Sequence, residues 1–404
     1  MKVLQINATY GAGSTGTIVR DIHNLCINNN IDSYVAYSTS PILPGNIKNG
    51  YKIGGVFGKK LHALLCRING MQGYFSRFST MKLLTHISKI RPDVIHLHNL
   101  HSNYIHLNML LKYLAKTNIK TVLSLHDCWF FTGGCFHYTA TGCNRWQKTC
   151  GNCPKKTKDT PAFLLDRSQK ILNDRAKYLG KIKNLTVVGV SKWISDETKK
   201  SILKDKSITY IHNGIDLNIF KPTPSDLRNI YNIGEDKFVV LGPASKFLAD
   251  INKSIFKELV SRMDDNTVLA LFGCNDEQLN ALPENVVGIP FIKDRYELAK
   301  VYSMADLFVN ISREDTLATV NIESQACGTP VIAFNNTGMP ETVDGCCSFI
   351  MENGNIDTVY KNIEIIKKNK DVIPRQCIEW VENNFEINLN YNKYLELYTG
   401  MKSR

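Results

Sequence analysis

The stretch Arg313-Glu314-Asp315-Thr316-Leu317-Ala318-Thr319-Val320-Asn321-Ile322-Glu323-Ser324-Gln325-Ala326-Cys327-Gly328-Thr329-Pro330-Val331-Ile332 decides the fold of this chain. A loop carrying Asp315 opens a short helix that holds Glu323 in its early part. Gly328 suits the left-handed position after the last helical turn, and Pro330 cannot continue the helix. Val331 to Phe334 then reads as a short buried strand. The two carboxylates can therefore project into one crevice, with free backbone amides at the helix start between them. Such a helix start attracts phosphate, and carboxylates accept hydrogen bonds from sugar hydroxyls. One segment thus offers parts for both ends of a nucleotide sugar.

Outward from that stretch, strand and helix patterns alternate. In the first half, Val3–Ile6, Ser33–Tyr37, Val94–His98, Thr121–Leu125 and Leu185–Val190 read as strands. Helical patterns near Thr17–Asn28, Met81–Ile90 and Leu107–Thr117 separate them. The second half repeats the scheme, with strands at Phe238–Leu241, Thr267–Phe272, Val286–Ile289, Leu307–Val309 and Val331–Phe334, and helices near Ser254–Arg262 and Glu297–Met304. The fold class is α/β, with parallel sheets covered by helices. The polar stretch from Pro222 to Asp236 marks the boundary. The expected domains are 1–221 and 222–385, with a C-terminal helix at about 386–404 crossing back to the first. Two such sheets facing each other across a cleft bring strand carboxyl ends, where ligands bind, to both walls.

A chain of 404 residues with 43% hydrophobic content suits two domains with real cores. No stretch reaches the roughly 18 apolar residues of a membrane helix. The N-terminus runs straight into a strand pattern without a signal peptide's apolar core, so the expected location is cytoplasmic. Residues 1–200 hold 28 Lys or Arg against 9 Asp or Glu, and the remainder 21 against 28. That asymmetry argues against uniform nucleic-acid coating and suits a first domain that meets an anionic surface or acceptor. Gly55 to Ser79 interleaves Lys59, Lys60, Arg67 and Arg77 with Phe57, Leu61, Leu64, Leu65, Tyr74, Phe75 and Phe78. Such a segment can lie on the inner face of an anionic membrane or cover the first sheet.

Gly11-Ala12-Gly13-Ser14-Thr15-Gly16 follows the first strand and opens the first helix. Its glycines and free amides can approach a diphosphate. Gly11, Gly13 and Gly16 also fit a nicotinamide-dinucleotide fingerprint with Asp32 as the ribose acid, so an NAD-binding oxidoreductase is a competing reading. His126-Asp127 ends a strand at the cleft edge. His126 could donate a hydrogen bond to a sugar hydroxyl, and Asp127 could orient it or cap a turn. His96, His98 and His101 lack a well-spaced carboxylate for a metal site. His98, Asn99 and Asp127 are read as acceptor-side residues, with a core role as the alternative for the histidine. Cys135, Cys143, Cys150 and Cys153 lie within 19 residues. Their spacing suits a structural zinc, with disulfides or free thiols as alternatives.

The 313–332 stretch resembles the donor-site signature of family 4 glycosyltransferases, which have the GT-B fold. The resemblance extends over nearly the whole chain through Gly13-Ser14-Thr15-Gly16, Arg91-Pro92-Asp93-Val94-Ile95-His96-Leu97-His98-Asn99, His126-Asp127, Val190-Ser191-Lys192-Trp193, Ile211-His212-Asn213-Gly214-Ile215-Asp216 and Ala305-Asp306-Leu307-Phe308-Val309-Asn310, in the family's order. It is similar to bacterial surface-polysaccharide transferases.

The resemblance implies a retaining hexosyltransferase without a catalytic metal. It would use a nucleotide-diphosphate sugar and a lipid-linked or oligosaccharide acceptor, without nucleic acid. Glu323 would hold the donor ribose and Asp315 the sugar hydroxyls. His126 would contact the transferred sugar. Thr316, Leu317, Ala318 and Thr319, with Gly11, Gly13 and Ser14, would surround sugar and phosphates, and Ser245 and Lys246 would also bind the donor. The chain departs from the family at Thr316-Leu317-Ala318, where Asn-Phe-Pro or Asn-Leu-Pro is more common. It departs again after Ala244-Ser245, where the usual Lys-Gly pair falls on Ile251-Asn252. Lys246 or Lys253 would then have to neutralise the leaving diphosphate. A catalytically degenerate GT-B scaffold that binds glycan or a partner is the alternative.

Overall fold

Val3, Leu4 and Ile6 have no exposed surface. Neither do Val331, Ile332, Ala333 and Phe334. Runs apolar on both sides of the pleat form strands covered by helices on both faces. The computed structural model describes residues 1–352, 354–370 and 372–400. It contains two units, 1–212 with the chain from Asn390, and 213–389.

In the first unit, β1 (Lys2–Thr9), β2 (Asp32–Thr39), β3 (Gly50–Lys52), β4 (Val94–Leu97), β5 (Lys120–Leu125), β6 (Leu185–Gly189) and β7 (Ser207–Tyr210) form one sheet in the order β3-β2-β1-β4-β5-β6-β7. In the second, β8 (Phe238–Pro243), β9 (Thr267–Cys274), β10 (Val286–Pro290), β11 (Leu307–Asn310), β12 (Val331–Phe334) and β13 (Phe349–Met351) are ordered β10-β9-β8-β11-β12-β13. All the pairings are parallel. Strand order therefore reverses between β1 and β4 and again between β8 and β11. Open sheets of this kind bind ligands beyond the strand carboxyl ends at such points.

The chain changes unit between His212 and Asn213, ahead of the boundary expected after Lys221. The reason is local: Ile215 N donates to the Phe385 carbonyl at 2.7 Å and Ile387 N to the Ile215 carbonyl at 3.1 Å. Gly214 lies so close that a Cβ there would meet the Ile387 Cα at 2.6 Å. The C-terminal helix Ile387–Thr399 belongs to the first unit from Asn390, not from about residue 386. Tyr398 Oη lies 2.6 Å from His96 Nδ1, and Tyr394 Oη 2.9 Å from Ser124 Oγ. His96 is thus a core tie. Residues 401–404 of the expected helix lie outside the described residues.

Candidate functional site

In the second unit, the loops after β8 and β11 flank the reversal point, and Asn252 ties them together. Its Nδ2 donates to the carbonyls of Lys246 at 3.0 Å and Ile311 at 3.1 Å. Its Oδ1 accepts from Arg313 Nε at 3.0 Å. Arg313 also reaches the Ile251 carbonyl at 3.4 Å, and its guanidinium lies 5.6 Å from the Phe334 ring centroid. A cation therefore adjoins the position where the expected lysine is missing. Sequence reasoning left Arg313 unassigned, and no local signal links residues 61 apart. Ser245 is exposed and Lys246 half-buried. Lys253 is engaged with Asp250 at 2.7 Å.

Asp315 shapes its own loop. Its Oδ1 accepts from the Leu317 amide at 3.2 Å, its amide donates to Thr337 Oγ1, and its carbonyl accepts from Gly338 N. Thr316, Leu317 and Ala318 are buried. The helix Thr319–Ala326 begins after Ala318, which supplies no side-chain cap. Glu323 consequently sits mid-helix rather than early. It is half-buried and accepts from Tyr302 Oη at 3.1 Å. Burial pushes its pKa up, opposed by the charge of Arg295 and by the Tyr302 hydroxyl. Arg295, also unassigned from sequence, stacks 5.0 Å from the Phe220 centroid. Its Nη1 is buried without a partner among the described residues.

In the first unit, a relay joins three adjacent strands. Gln5 Nε2 donates to the Val19 carbonyl at 3.2 Å, which fixes the amide's orientation. Gln5 Oε1 must then accept from His98 Nε2 at 3.1 Å, and His98 Nδ1 meets His126 Nε2 at 3.1 Å. Burial drives His98 well below the usual histidine range and His126 to about 4, so both are neutral at pH 7. With its proton on Nε2, His98 can only accept at Nδ1, so His126 Nε2–H is the donor. His126 Nδ1 is left with a lone pair. The relay thus leaves His126 Nδ1 an acceptor, where a donor was expected. His98 is fully buried, a core residue of the relay rather than an acceptor-side contact.

Asp127 does not orient His126. Its Oδ1 accepts from the Trp129 amide at 2.8 Å and its Oδ2 pairs with His101 at 3.1 Å. Burial works to raise its pKa, but the His101 bond and the Trp129 amide leave it below the usual range. The Asn99 amide donates to Asn7 Oδ1 at 3.1 Å.

Gly11 and Gly13 have φ of 71° and 63°, and open space lies beside Gly13 where a Cβ would stand. The helix Gly13–Asn28 has no side-chain cap, and Ser14 is exposed on its first turn. Asp32 pairs with Lys2 in the ladder. It therefore opens β2 at the end of the sheet opposite the Gly11–Gly13 loop. A ribose acid must stand at the same end as the glycine loop, so Asp32 cannot serve the NAD reading.

Cys135, Cys143, Cys150 and Cys153 are free thiols lining one cavity of about 20 Å³. Burial pushes Cys135 up to about 12 and Cys150 to about 11. Among the described residues, no group of three or more His, Cys, Asp or Glu side chains is placed to hold a metal ion. The thiols share a wall without converging, so the arrangement does not fit the expected zinc. The segment is anchored instead by fully buried Arg175. Its Nη1 donates to the carbonyls of Trp129 and Thr132, and its guanidinium stacks 3.7 Å from the Trp129 centroid.

Residues 56–219 match the family described as Glycosyltransferase Family 4, and residues 241–369 match Glycosyl transferases group 1. Over 361 residues the chain is 23% identical to the putative colanic acid biosynthesis glycosyl transferase WcaC of Escherichia coli, covering 85% of each. Among solved structures it resembles sucrose-phosphate synthase from Thermosynechococcus elongatus, with a TM-score of 0.71 and 17% identity over 99% of this chain and 98% of that one. It also resembles Anabaena HepE in complex with UDP and glucose, with a TM-score of 0.65 and 16% identity over 99% and 100%. These structural likenesses establish the GT-B fold expected above.

Proposed function

The chain belongs to the family 4 glycosyltransferases, and from that premise we propose that it moves a hexose-type sugar from a nucleotide diphosphate to a hydroxyl of a lipid-linked glycan, with retention, in surface-polysaccharide synthesis at the membrane's inner face. The observation that carries this reading is the reversal point of the second unit. There the Asn252–Arg313 clasp, the Asp315 loop and the uncapped helix bearing Glu323 belong to adjacent segments. The polysaccharide role of WcaC and the UDP and glucose bound by HepE support it.

In this reading Glu323 accepts from the donor ribose hydroxyls. Asp315 and the amides from Thr316 to Thr319 meet the sugar and phosphates, and the Gly11–Gly13 loop with Ser14 offers further amides. Lys246 and Arg313 face the charge that develops on the departing diphosphate, so neutralisation is assigned to side chains rather than to a metal. The bond from the anomeric carbon to the phosphate oxygen breaks as the bond to the acceptor oxygen forms. The departing phosphate oxygen takes the acceptor's proton. His126 positions the sugar through Nδ1.

Thermal shift with UDP, GDP, TDP and NAD tests this reading. Stabilisation by one nucleoside diphosphate and by its sugar is expected. Stabilisation by NAD alone contradicts it. A second reading, a scaffold without turnover, draws on Ile251. No step involves the cysteines. A zinc there rests on spacing and the shared cavity alone, against the unconverged thiols, and metal analysis decides it: one zinc per chain supports the site and none removes it.

A further inference from the structure

The helix Val56–Asn69 is turned inside out. It buries His62 and Cys66. His62 Nδ1 meets Ser76 Oγ at 2.7 Å and the ring packs edge-on against Phe75. Phe57, Leu61, Leu64 and Ile68 share the opposite face by their three- and four-residue spacing, and all four are exposed, Phe57 at 81%. Phe163 and Leu164, in a loop beside the helix end, are exposed too. Phe163 N donates to the Arg67 carbonyl at 2.7 Å, which holds that loop against the helix end. A contiguous exposed apolar stripe rimmed by polar residues marks a docking face.

Charge selects the partner. Between Ser33 and Pro92 the sequence contains nine Lys or Arg and no Asp or Glu. Lys59, Lys60 and Arg67 lie on the docking helix, and none forms an ion pair among the described residues. With Ser102 and Asn103 they line a groove of about 450 Å³. Those two non-glycine residues are held at φ of 79° and 62°, conformations that surrounding structure must impose. Lys59 is crowded, its pKa lowered by burial and by Lys52. A protein partner would need an extended acidic and apolar surface to match. An anionic bilayer supplies both properties over its whole area.

We propose that this face docks on an anionic phospholipid bilayer. Phe57, Leu61, Leu64, Phe163 and Leu164 enter the boundary between headgroups and acyl chains, while the exposed Lys60 and Arg67, which flank the stripe, meet lipid phosphates. No helix among the described residues is long and apolar enough to cross a membrane. The inference deepens the lipid-linked-acceptor reading and rests on it for its purpose. Its test uses neither donor nor acceptor, so each can fail alone.

The full chain is sedimented with vesicles of mixed phosphatidylglycerol and phosphatidylcholine and with phosphatidylcholine alone, at low and high salt. Binding to the anionic vesicles is expected, weakened by salt. Lys60→Glu/Arg67→Glu is expected to lower that affinity by about tenfold or more. Phe57→Ser/Leu61→Ser/Leu64→Ser is expected to abolish the salt-resistant part with an unchanged circular dichroism spectrum, because these side chains are already exposed. Absence of binding to anionic vesicles at low salt overturns the proposal. Wild-type binding by the serine variant does too, since charge alone would then explain adsorption. So does a dimer in sedimentation velocity that the serine variant dissolves, which would assign the face to a second copy.

Discussion

Arg313→Ala probes the place where the sequence departs most from its family. In the folded protein the guanidinium makes one good bond, Nε to Asn252 Oδ1 at 3.0 Å, and a long one at 3.4 Å to the Ile251 carbonyl. Arg313 is only half-buried, so losing that bond costs about 1 kcal/mol or less. Asn252 keeps both Nδ2 bonds, to Lys246 and Ile311, and the two loops stay tied. Such a loss lowers Tm by about 2–4 °C in a domain of this size. The functional loss should be far larger. Removing one preorganised donor from developing negative charge costs about 2.7–4 kcal/mol, or 10²–10³ in kcat. The assay is transfer rate and donor KM against Tm for wild type, Arg313→Ala and Arg313→Lys. The lysine variant should fall between, because it keeps the charge and loses the planar fork. Adding Ile251→Lys to Arg313→Ala returns a cation to the family's usual position and should recover about tenfold or more of the rate. Unchanged kcat in Arg313→Ala, with the small Tm loss, would refute the assignment of Arg313 to the diphosphate.

Three further outcomes are expected. Glu323→Gln keeps an acceptor for Tyr302 and should raise donor KM about 10–100-fold without lowering Tm at neutral pH. Because burial raises the Glu323 pKa, stability is greatest below the unfolded carboxylate pKa and is lost as pH rises through the folded value, so the glutamine variant's advantage should vanish in acid. His98→Phe removes the acceptor that fixes the His126 tautomer. It should lower kcat/KM about tenfold while leaving nucleoside-diphosphate affinity intact, and an equal loss of both would mean general damage. Finally, burial holds His23, His62 and His126 at about 4 against 6.5 unfolded. The stability these neutral rings contribute is present above pH 6.5 and is lost as pH falls toward 4, by up to about 1.4 kcal/mol per pH unit for each ring. Urea unfolding at pH 7.5 and pH 5.5 checks this, and equal midpoints would contradict it.

Much of the fold was legible because its central strands are apolar on both faces. Phe238 to Leu241 and Val331 to Phe334 stand out as continuous runs between turn residues. Three of the four edge strands did not. β7 exposes Ser207, Thr209 and Tyr210, and β3 and β13 have three residues each, too few for a period to show. At the candidate site, the spacing around Asp315 and Glu323 was readable from neighbours along the chain. The Asn252–Arg313 clasp and the Gln5–His98–His126 relay were not. The clasp depends on two loops meeting across a reversal of strand order. The relay depends on register, with Gln5 opposite His96 and Leu97 opposite Leu123. Periodicity carries no information about either.

The same physical need recurs in both units and separates structural polar residues from candidates for chemistry. Where parallel strands part at a reversal point, backbone groups just beyond the ladder lose their strand partners, and each must find another. In the first unit Asn7, fully buried, takes the Asn99 amide onto its Oδ1 and gives its Nδ2 to the Thr9 carbonyl at 2.8 Å. In the second, buried Asn252 takes the Lys246 and Ile311 carbonyls, and Asn310 Oδ1 takes the Ser312 amide at 3.0 Å. Side-chain amides suit this task because each carries a donor and an acceptor and stays neutral at any working pH. Their placement at the sheets' carboxyl ends therefore follows from topology, whether or not a ligand binds there. The same test returns Asp127 to the fold, since one oxygen caps the Trp129 turn and the other meets His101. It leaves His126 Nδ1 with no such duty in the relay, and Arg313 with a guanidinium only partly used by the clasp. Groups with capacity beyond what the backbone demands are the ones on which substitution should change turnover more than stability.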